Sequence, residues 1–297
     1  MNADKMIVST ILLLCSLSFD QSENLLRQID LDAHGFSCNT IDGAWGVKSE
    51  RAQKAYTRIA GVPAKPFRKE TVTQADLNAL TKIPTSPAEK AQLPQMGYET
   101  IKEMFAERGH LSQRALERLN PNVDWDNIQP GIQLTIPDFP SIEANLEAGN
   151  RRNPLSTKPS DAALIKISLS NFEITVWNAT SNCIALFPCS IAKNKAKLPP
   201  IGELKITTAI PYPNYTYSPD FVPHGKKPMK YVFPGGPNCP VGVAWLGLNL
   251  PGYGIHGTPH PESIGKAESH GCFRLSNWNA ARLYAMCKPG TRVIIEP

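Results

Sequence analysis

The chain has 297 residues, 41% apolar and 19% charged, with a formal net charge of +5. That length and apolar content exclude a disordered chain and leave room for two or three compact domains; the 27 prolines predict linkers between them. The small basic surplus suits a carboxylate-rich anionic polymer but is ordinary for a folded protein, and no basic run carries interleaved aromatics, which argues against nucleic acid.

Residues 1–19 read as a signal peptide: Lys5, an apolar run from Met6 through Leu17, and small residues at Ser16 and Ser18. The run is short for a bilayer span, so export to the periplasm or cell envelope is expected. A buried N-terminal helix is the competing reading, and Leu14 stands where lipidation of Cys15 would need a small residue. Residues 21–62 form a small helical module in which Leu25, Leu26 and Ile29 fall at helical spacing, Gly35 stops the first helix, and Ala52, Ala55, Tyr56 and Ile59 share a face of the next. Between them, Ile41-Asp42-Gly43-Ala44-Trp45-Gly46 sets glycines around a tryptophan in a turn that needs unusual backbone angles. This resembles the core of the three-helix peptidoglycan-binding domain, although Asp42 and Trp45 also suffice simply to fix the turn.

Residues 63–96, punctuated by Pro63, Pro66, Pro84, Pro87 and Pro94, read as a semi-rigid linker with one helix over Thr73–Lys82. Residues 97–138 hold helices over Thr100–Arg108 and Ser112–Leu119, split by Gly109, then a Pro130-Gly131 turn feeding an alternating strand. This α+β module resembles a LysM domain, a β-α-α-β grip for N-acetylglucosamine glycans, although its opening strand is barely visible before Tyr98. Residues 139–162 read as a second linker. From residue 163 the pattern turns to strands: Leu164 to Leu169 and Phe172 to Trp177 flank Ser170-Asn171 as a hairpin, and Cys183 to Ala192 continues the sheet. The expected fold is multidomain, ending in a mainly antiparallel all-β barrel or sandwich with one late helix over Trp278–Cys287. Six residues of one strand separate Cys183 from Cys189 by about 20 Å, so these two do not bridge; pairing of either with Cys239 or Cys287 stays open.

The densest chemistry lies in Gly252-Tyr253-Gly254-Ile255-His256-Gly257-Thr258-Pro259-His260 and Ser269-His270-Gly271-Cys272-Phe273-Arg274-Leu275-Ser276-Asn277. A nucleophilic thiol needs a base within reach and backbone amides for an oxyanion, and Gly271 lets main chain approach a substrate carbonyl. Two other readings stand beside catalysis: an inert buried thiol, and zinc held by His256, His260, His270 and Cys272, though no paired C-x2-C spacing occurs.

His256-Gly-Thr followed by Ser269-His-Gly-Cys-Phe-Arg-Leu-Ser-Asn277 resembles the signature of the YkuD family of L,D-transpeptidases, enzymes that cross-link peptidoglycan. Leu198-Pro-Pro-Ile-Gly202 and Gly236-Pro-Asn-Cys-Pro240 extend the resemblance, which spans about residues 163–297; Phe273 and Asn279 depart from it. The resemblance implies Cys272 as nucleophile, His256 as base oriented by the Gly257 carbonyl, and Gly271 with Cys272, helped by His270, as oxyanion site. It assigns Arg274, Ser269, Asn277, Tyr253 and Trp245 to the substrate-binding surround and calls for no metal or organic cofactor. Its implied partners are peptidoglycan stem peptides and glycan strands, met by a monomer. The same acyl-enzyme would also serve an L,D-carboxypeptidase or attach a lipoprotein, and a wall-binding scaffold without catalysis is the reading from another class.

Overall fold

A computed structural model of the chain describes residues 18–56, 65–151, 161–219 and 229–297. The apolar leader with Cys15, and Ile59, Pro63 and Pro159, lie outside the described residues. Two compact units emerge: Met1–Asn78 with Thr100–Pro140, and Ala79–Glu99 with Ser141–Pro297.

In the first unit, helix Phe19–Ala33 opens on a capping box in which Ser18 Oγ accepts from Gln21 N and Gln21 Oε1 accepts from Ser18 N. The glycine turn before helix Val47–Ala55 is held by Gln28 Oε1, which accepts from Asp42 N at 3.0 Å and Gly43 N at 2.9 Å. Gly43 sits at φ 76, and a Cβ there would lie 2.8 Å from Gln21 O, so the turn requires glycine. The Arg27 guanidinium lies 4.3 Å from the Trp45 ring centroid and covers that face.

Strand β1 (Phe67–Thr71) pairs antiparallel with β2 (Gln133–Pro137), and helices Ile101–Arg108 and Gln113–Leu119 fall between them. Two short helices, Gln74–Asn78 and Pro87–Lys90, also lie between the strands in sequence, and the opening strand falls inside the segment expected to be a linker. Four of its five residues are polar, so no alternation of apolar side chains marked it. The helix expected over Thr73–Lys82 is shorter, Gln74–Asn78. The two N-terminal modules are also not separate: Ile41 bridges to Leu111, and buried His110 Nδ1 lies 2.8 Å from buried Asp32 Oδ1.

The second unit is built on an eight-stranded sheet. Its strands are β3 (Leu164–Ser168), β4 (Glu173–Trp177), β5 (Cys183–Pro188), β7 (Gly202–Pro211), β10 (Ala244–Leu248), β11 (Gly254–His256), β13 (Phe273–Arg274) and β14 (Arg292–Glu296), while β6 (Ile191–Ala192), β8 (Tyr215–Tyr217), β9 (Tyr231–Phe233) and β12 (Ala267–Ser269) form two small side sheets. The spatial order is β13-β11-β10-β7-β14-β3-β4-β5. The sheet is antiparallel as expected except at two joints, β14 with β3 and β11 with β13, which are parallel. Both follow from long returns: helix Asn277–Met286 precedes β14, and residues 257–272 leave and rejoin the sheet in the same sense. The hairpin at Ser170-Asn171 forms with Ser168 opposite Glu173. The sheet does not continue through Ala192, because β5 stops at Pro188, which lacks an N–H, and β6 pairs with β12 instead.

Ile165, Ile167, Ile174, Val176, Val293 and Ile295 alternate into one core beneath Trp278 and Phe273. Neither predicted linker of this unit is a linker throughout. Ser141 caps a helix over Ile142–Asn150 that buries Ile142 and Leu146 in the same core, and Tyr284 Oη donates to Asn150 Oδ1 at 2.7 Å. Within Ala79–Glu99, Met96 is 2% exposed; its N donates to Gly235 O at 3.0 Å and its O accepts from Asn238 N at 2.9 Å. The described cysteines Cys38, Cys183, Cys189, Cys239, Cys272 and Cys287 are free thiols, so neither Cys239 nor Cys287 pairs with Cys183 or Cys189. Among the described residues no helix is long and apolar enough to cross a membrane.

Candidate active site

The parallel joint explains why the two halves of the motif meet. In β11, His256 lies opposite Trp245 of β10 on one side and Arg274 of β13 on the other. Trp245 stacks on the imidazole, ring centroids 5.5 Å apart at 17°. That stack needs a bare backbone beneath the indole: a Cβ on Gly254 would fall 2.6 Å from the Trp245 ring, and one on Gly247 would fall 2.9 Å from its Nε1.

His256 is 6% exposed, and its Nδ1–H donates to Gly257 O at 2.6 Å, which leaves Nε2 as the acceptor. Burial, aided by the Arg274 charge, holds its pKa down at about 4, so the ring is neutral at pH 7. Cys272 is half-buried directly before β13, and burial raises its thiol pKa above the ordinary range, opposed in part by the Gly254 backbone. The resting pair is therefore thiol and imidazole, not thiolate and imidazolium. The S–H donates to Gly252 O at 3.5 Å rather than to His256.

The loop before β13 is tied by Ser269, whose Oγ donates to Cys272 O at 2.6 Å and accepts from Gly271 N at 3.2 Å. Of the two amides expected at the oxyanion site, that of Gly271 thus meets Ser269 Oγ, while among the described residues the Cys272 N–H takes part in no loop hydrogen bond. A Cβ on Gly271 would meet only ordinary 3.7 Å contacts with Lys197 O and Tyr253, so the space beside it opens outward. Arg274 is half-buried, and its Nε and Nη2 are enclosed without a hydrogen-bond partner.

Asn277, expected in the substrate-binding surround, holds backbone in place. It is fully buried, accepts from Val243 N at 3.3 Å and donates to Pro237 O at 3.0 Å, and its Oδ1 lies 2.2 Å and 2.4 Å from where Cβ atoms would stand on Gly242 and Gly257. It clamps the approach to β10 against the residue that orients His256. Tyr253 does not line the cavity described next; its hydroxyl donates to Lys197 O at 3.0 Å. Gly257 does not line it either, and acts through its bond to His256 Nδ1. A cavity of about 990 Å³ is lined by Cys272, His256, His270, Gly271, Ser269, Arg274 and Trp245. His260 and Thr258 also face it, as do Ile83, Lys90, Met96 and Glu99, which no sequence signal marked. The zinc reading asked for converging donors, and among the described residues no three His, Cys, Asp or Glu side chains form such a cluster.

A mainly-sheet domain carrying a cysteine and a neutral histidine around one cavity defines the class of protein. The YkuD family profile, described as an L,D-transpeptidase catalytic domain, matches residues 162–295. The chain is 42% identical over 199 residues to the "Putative L,D-transpeptidase YkuD" of Bacillus licheniformis, spanning 67% of this chain and 94% of that one. It is 26% identical over 202 residues to the "Probable L,D-transpeptidase YbiS" of Escherichia coli K12, spanning 66% and 60%. Among solved structures, an L,D-transpeptidase from Mycobacterium smegmatis is similar at 20% identity and TM-score 0.36, with 46% of this chain and 59% of that chain covered. L,D-transpeptidase 3 from Mycobacterium tuberculosis, in complex with a faropenem-derived adduct, is similar at 18% identity and TM-score 0.37, with 46% and 60% covered. The chain belongs to the YkuD family of L,D-transpeptidases.

Proposed function

We propose that this chain forms peptidoglycan cross-links through a thioester on Cys272. The observation that carries the reading is the shared cavity, which brings together a buried neutral imidazole with Nε2 as acceptor, a half-buried thiol, and a guanidinium whose Nε and Nη2 have no hydrogen-bond partner among the described residues. His256 Nε2 takes the proton from Cys272, and the sulfur attacks the carbonyl of the diaminopimelate residue in a stem tetrapeptide. The Cys272 amide, with His270 nearby, receives the oxyanion. The imidazolium then protonates the departing amine, the C–N bond breaks and D-alanine leaves. A side-chain amine of a second stem attacks the thioester and gives its proton to His256, and the C–S bond breaks to leave a 3→3 cross-link and a free thiol. Arg274 holds a substrate carboxylate through its planar fork.

The antiparallel pairing of β1 with β2, with helices Ile101–Arg108 and Gln113–Leu119 between them in sequence, supports a LysM-like glycan grip in the first unit. The apolar leader supports action in the cell envelope, where a thioester formed by exchange needs no ATP. Incubating the protein with a purified stem tetrapeptide and identifying products by mass tests the reading. The expected products are free D-alanine and a cross-linked dimer, both lost in Cys272→Ser, whose hydroxyl His256 cannot deprotonate; a serine variant that kept substantial cross-linking would refute the nucleophile.

A further inference from the structure

The segment Ala79–Glu99 reads in sequence as a spacer, yet it belongs to the catalytic unit and forms part of the cavity wall. Its placement is built in. Met96 is bonded on both sides through Gly235 and Asn238, and Asn238 Nδ2 also donates to Gly97 O at 2.9 Å. Gly236 runs so close that a Cβ there would sit 2.2 Å from Met96 O. Met96 packs with Cys239 and Val241, and Trp245, which stacks on His256, packs against the same cluster. The segment is therefore anchored to the very wall that positions the base.

One residue of this segment brings charge to the cavity with no ion-pair partner among the described residues. Lys90 lines the cavity, and no carboxylate among the described residues pairs with it. Its Nζ lies 5.8 Å from the centroid of the Phe233 ring, which is itself stacked on Tyr217 at 5.5 Å. The one cavity-lining carboxylate on the same segment, Glu99, accepts from Ile83 N at 3.0 Å and so braces the segment. Among the described residues the cavity thus carries two cations on different elements, Arg274 beside the thiol and Lys90 on the added wall. A ligand that answers both carries two anionic groups, and the peptide of the proposed reaction supplies them as carboxylates.

We infer that Lys90 is a specificity residue that binds a second carboxylate of the peptide substrate, distinct from the one held by Arg274. The inference rests on the proposed peptide chemistry and names the substrate class as a peptide with at least two free carboxylates. The test uses the full chain, a stem tetrapeptide, and analogues in which each carboxylate in turn is a primary amide. Lys90→Met should raise KM for the unmodified peptide about tenfold, the worth of one charge-assisted hydrogen bond, and leave kcat within twofold. One amide analogue should show the same rise with wild-type protein and no further rise with Lys90→Met, because the two changes remove one interaction. Lys90→Glu should weaken the acid further and favour that amide. Equal losses on every analogue, or no loss on any, overturn the assignment. Acylation of Cys272 by a carbapenem, read by mass, should proceed at the same rate in wild type and Lys90→Met. A wild type that is acylated yet consumes no peptide removes the peptide reading itself, a result separable from failure of Lys90 alone.

Discussion

The depressed pKa of His256 makes a stability prediction with a definite sign. In the folded chain the imidazole is held at about pKa 4 by burial, against an ordinary 6.5 once unfolded. Between those values the unfolded chain binds a proton that the folded chain refuses, so stability falls as pH drops from above 6.5 towards 4 and is unaffected above pH 7. The contribution lost is on the order of 3 kcal/mol when fully developed, and most of it is already gone at pH 4.5. Replacing His256 by Gln removes the titrating group while keeping a polar side chain of similar reach. The assay is urea unfolding of wild type and variant at pH 7 and pH 4.5, read by hydrogen exchange in peptides from β10 to β14. The wild-type midpoint should fall by about 1 M more than the variant's between the two pH values. A proton NMR titration of the imidazole should find it neutral down to about pH 4. If both chains lose the same stability, or the ring titrates near 6.5, the burial argument and the neutral-base assignment fail together.

Asn277→Ala should cost about 2–3 kcal/mol, because it strips a buried partner from both Val243 N and Pro237 O; the urea midpoint at pH 7 reads this, and an unchanged midpoint would refute the clamp. Since burial raises the Cys272 thiol, its alkylation by iodoacetamide should be slow at pH 7 and still climbing at pH 9, as measured by mass on the peptide containing it. A plateau between pH 6 and 8 would instead reveal a standing thiolate.

What the sequence displays and what it hides divide along the range of the interactions. Helix starts are legible because a cap is local: Thr100 accepts from Glu103 N and Ser112 from Ala115 N, each within three residues. The hairpin at Ser170-Asn171 is legible for the same reason. The thiol and the imidazole stand out because chemistry restricts which residue types can serve. The parallel joints are not legible, since nothing in Phe273-Arg274 says that its neighbour is β11 rather than the next strand in sequence. Strand Phe67–Thr71 is silent because its burial is partial and its partner lies far along the chain. The docking of Ala79–Glu99, most of it inside the expected linker 63–96, is silent because prolines announce a stiff path but not a surface to lie on. The docking information sits in Gly236, whose lack of a side chain admits the Met96 backbone.

The resting geometry also bears on when the site can react. The thiol is hydrogen-bonded to Gly252 O, and the imidazole presents Nε2 without taking the proton. A thiolate standing in a cavity of about 990 Å³ would be open to every electrophile that enters. A neutral pair avoids this, because proton transfer becomes favourable only when a carbonyl is in place to take up the charge on sulfur and an amide is aimed at the oxygen. Trp245 and the two glycines that let it lie flat keep His256 dry and uncharged, and Asn277 fixes the peptide that orients it. The residues that make the base weak in the empty site are thus the ones that hold it in the tautomer needed for the full one. Under the proposed chemistry the reaction then depends on how well a peptide fills the cavity, which is why a cation on the added wall, at Lys90, bears on capture of the peptide and not on the reactivity of the thiol.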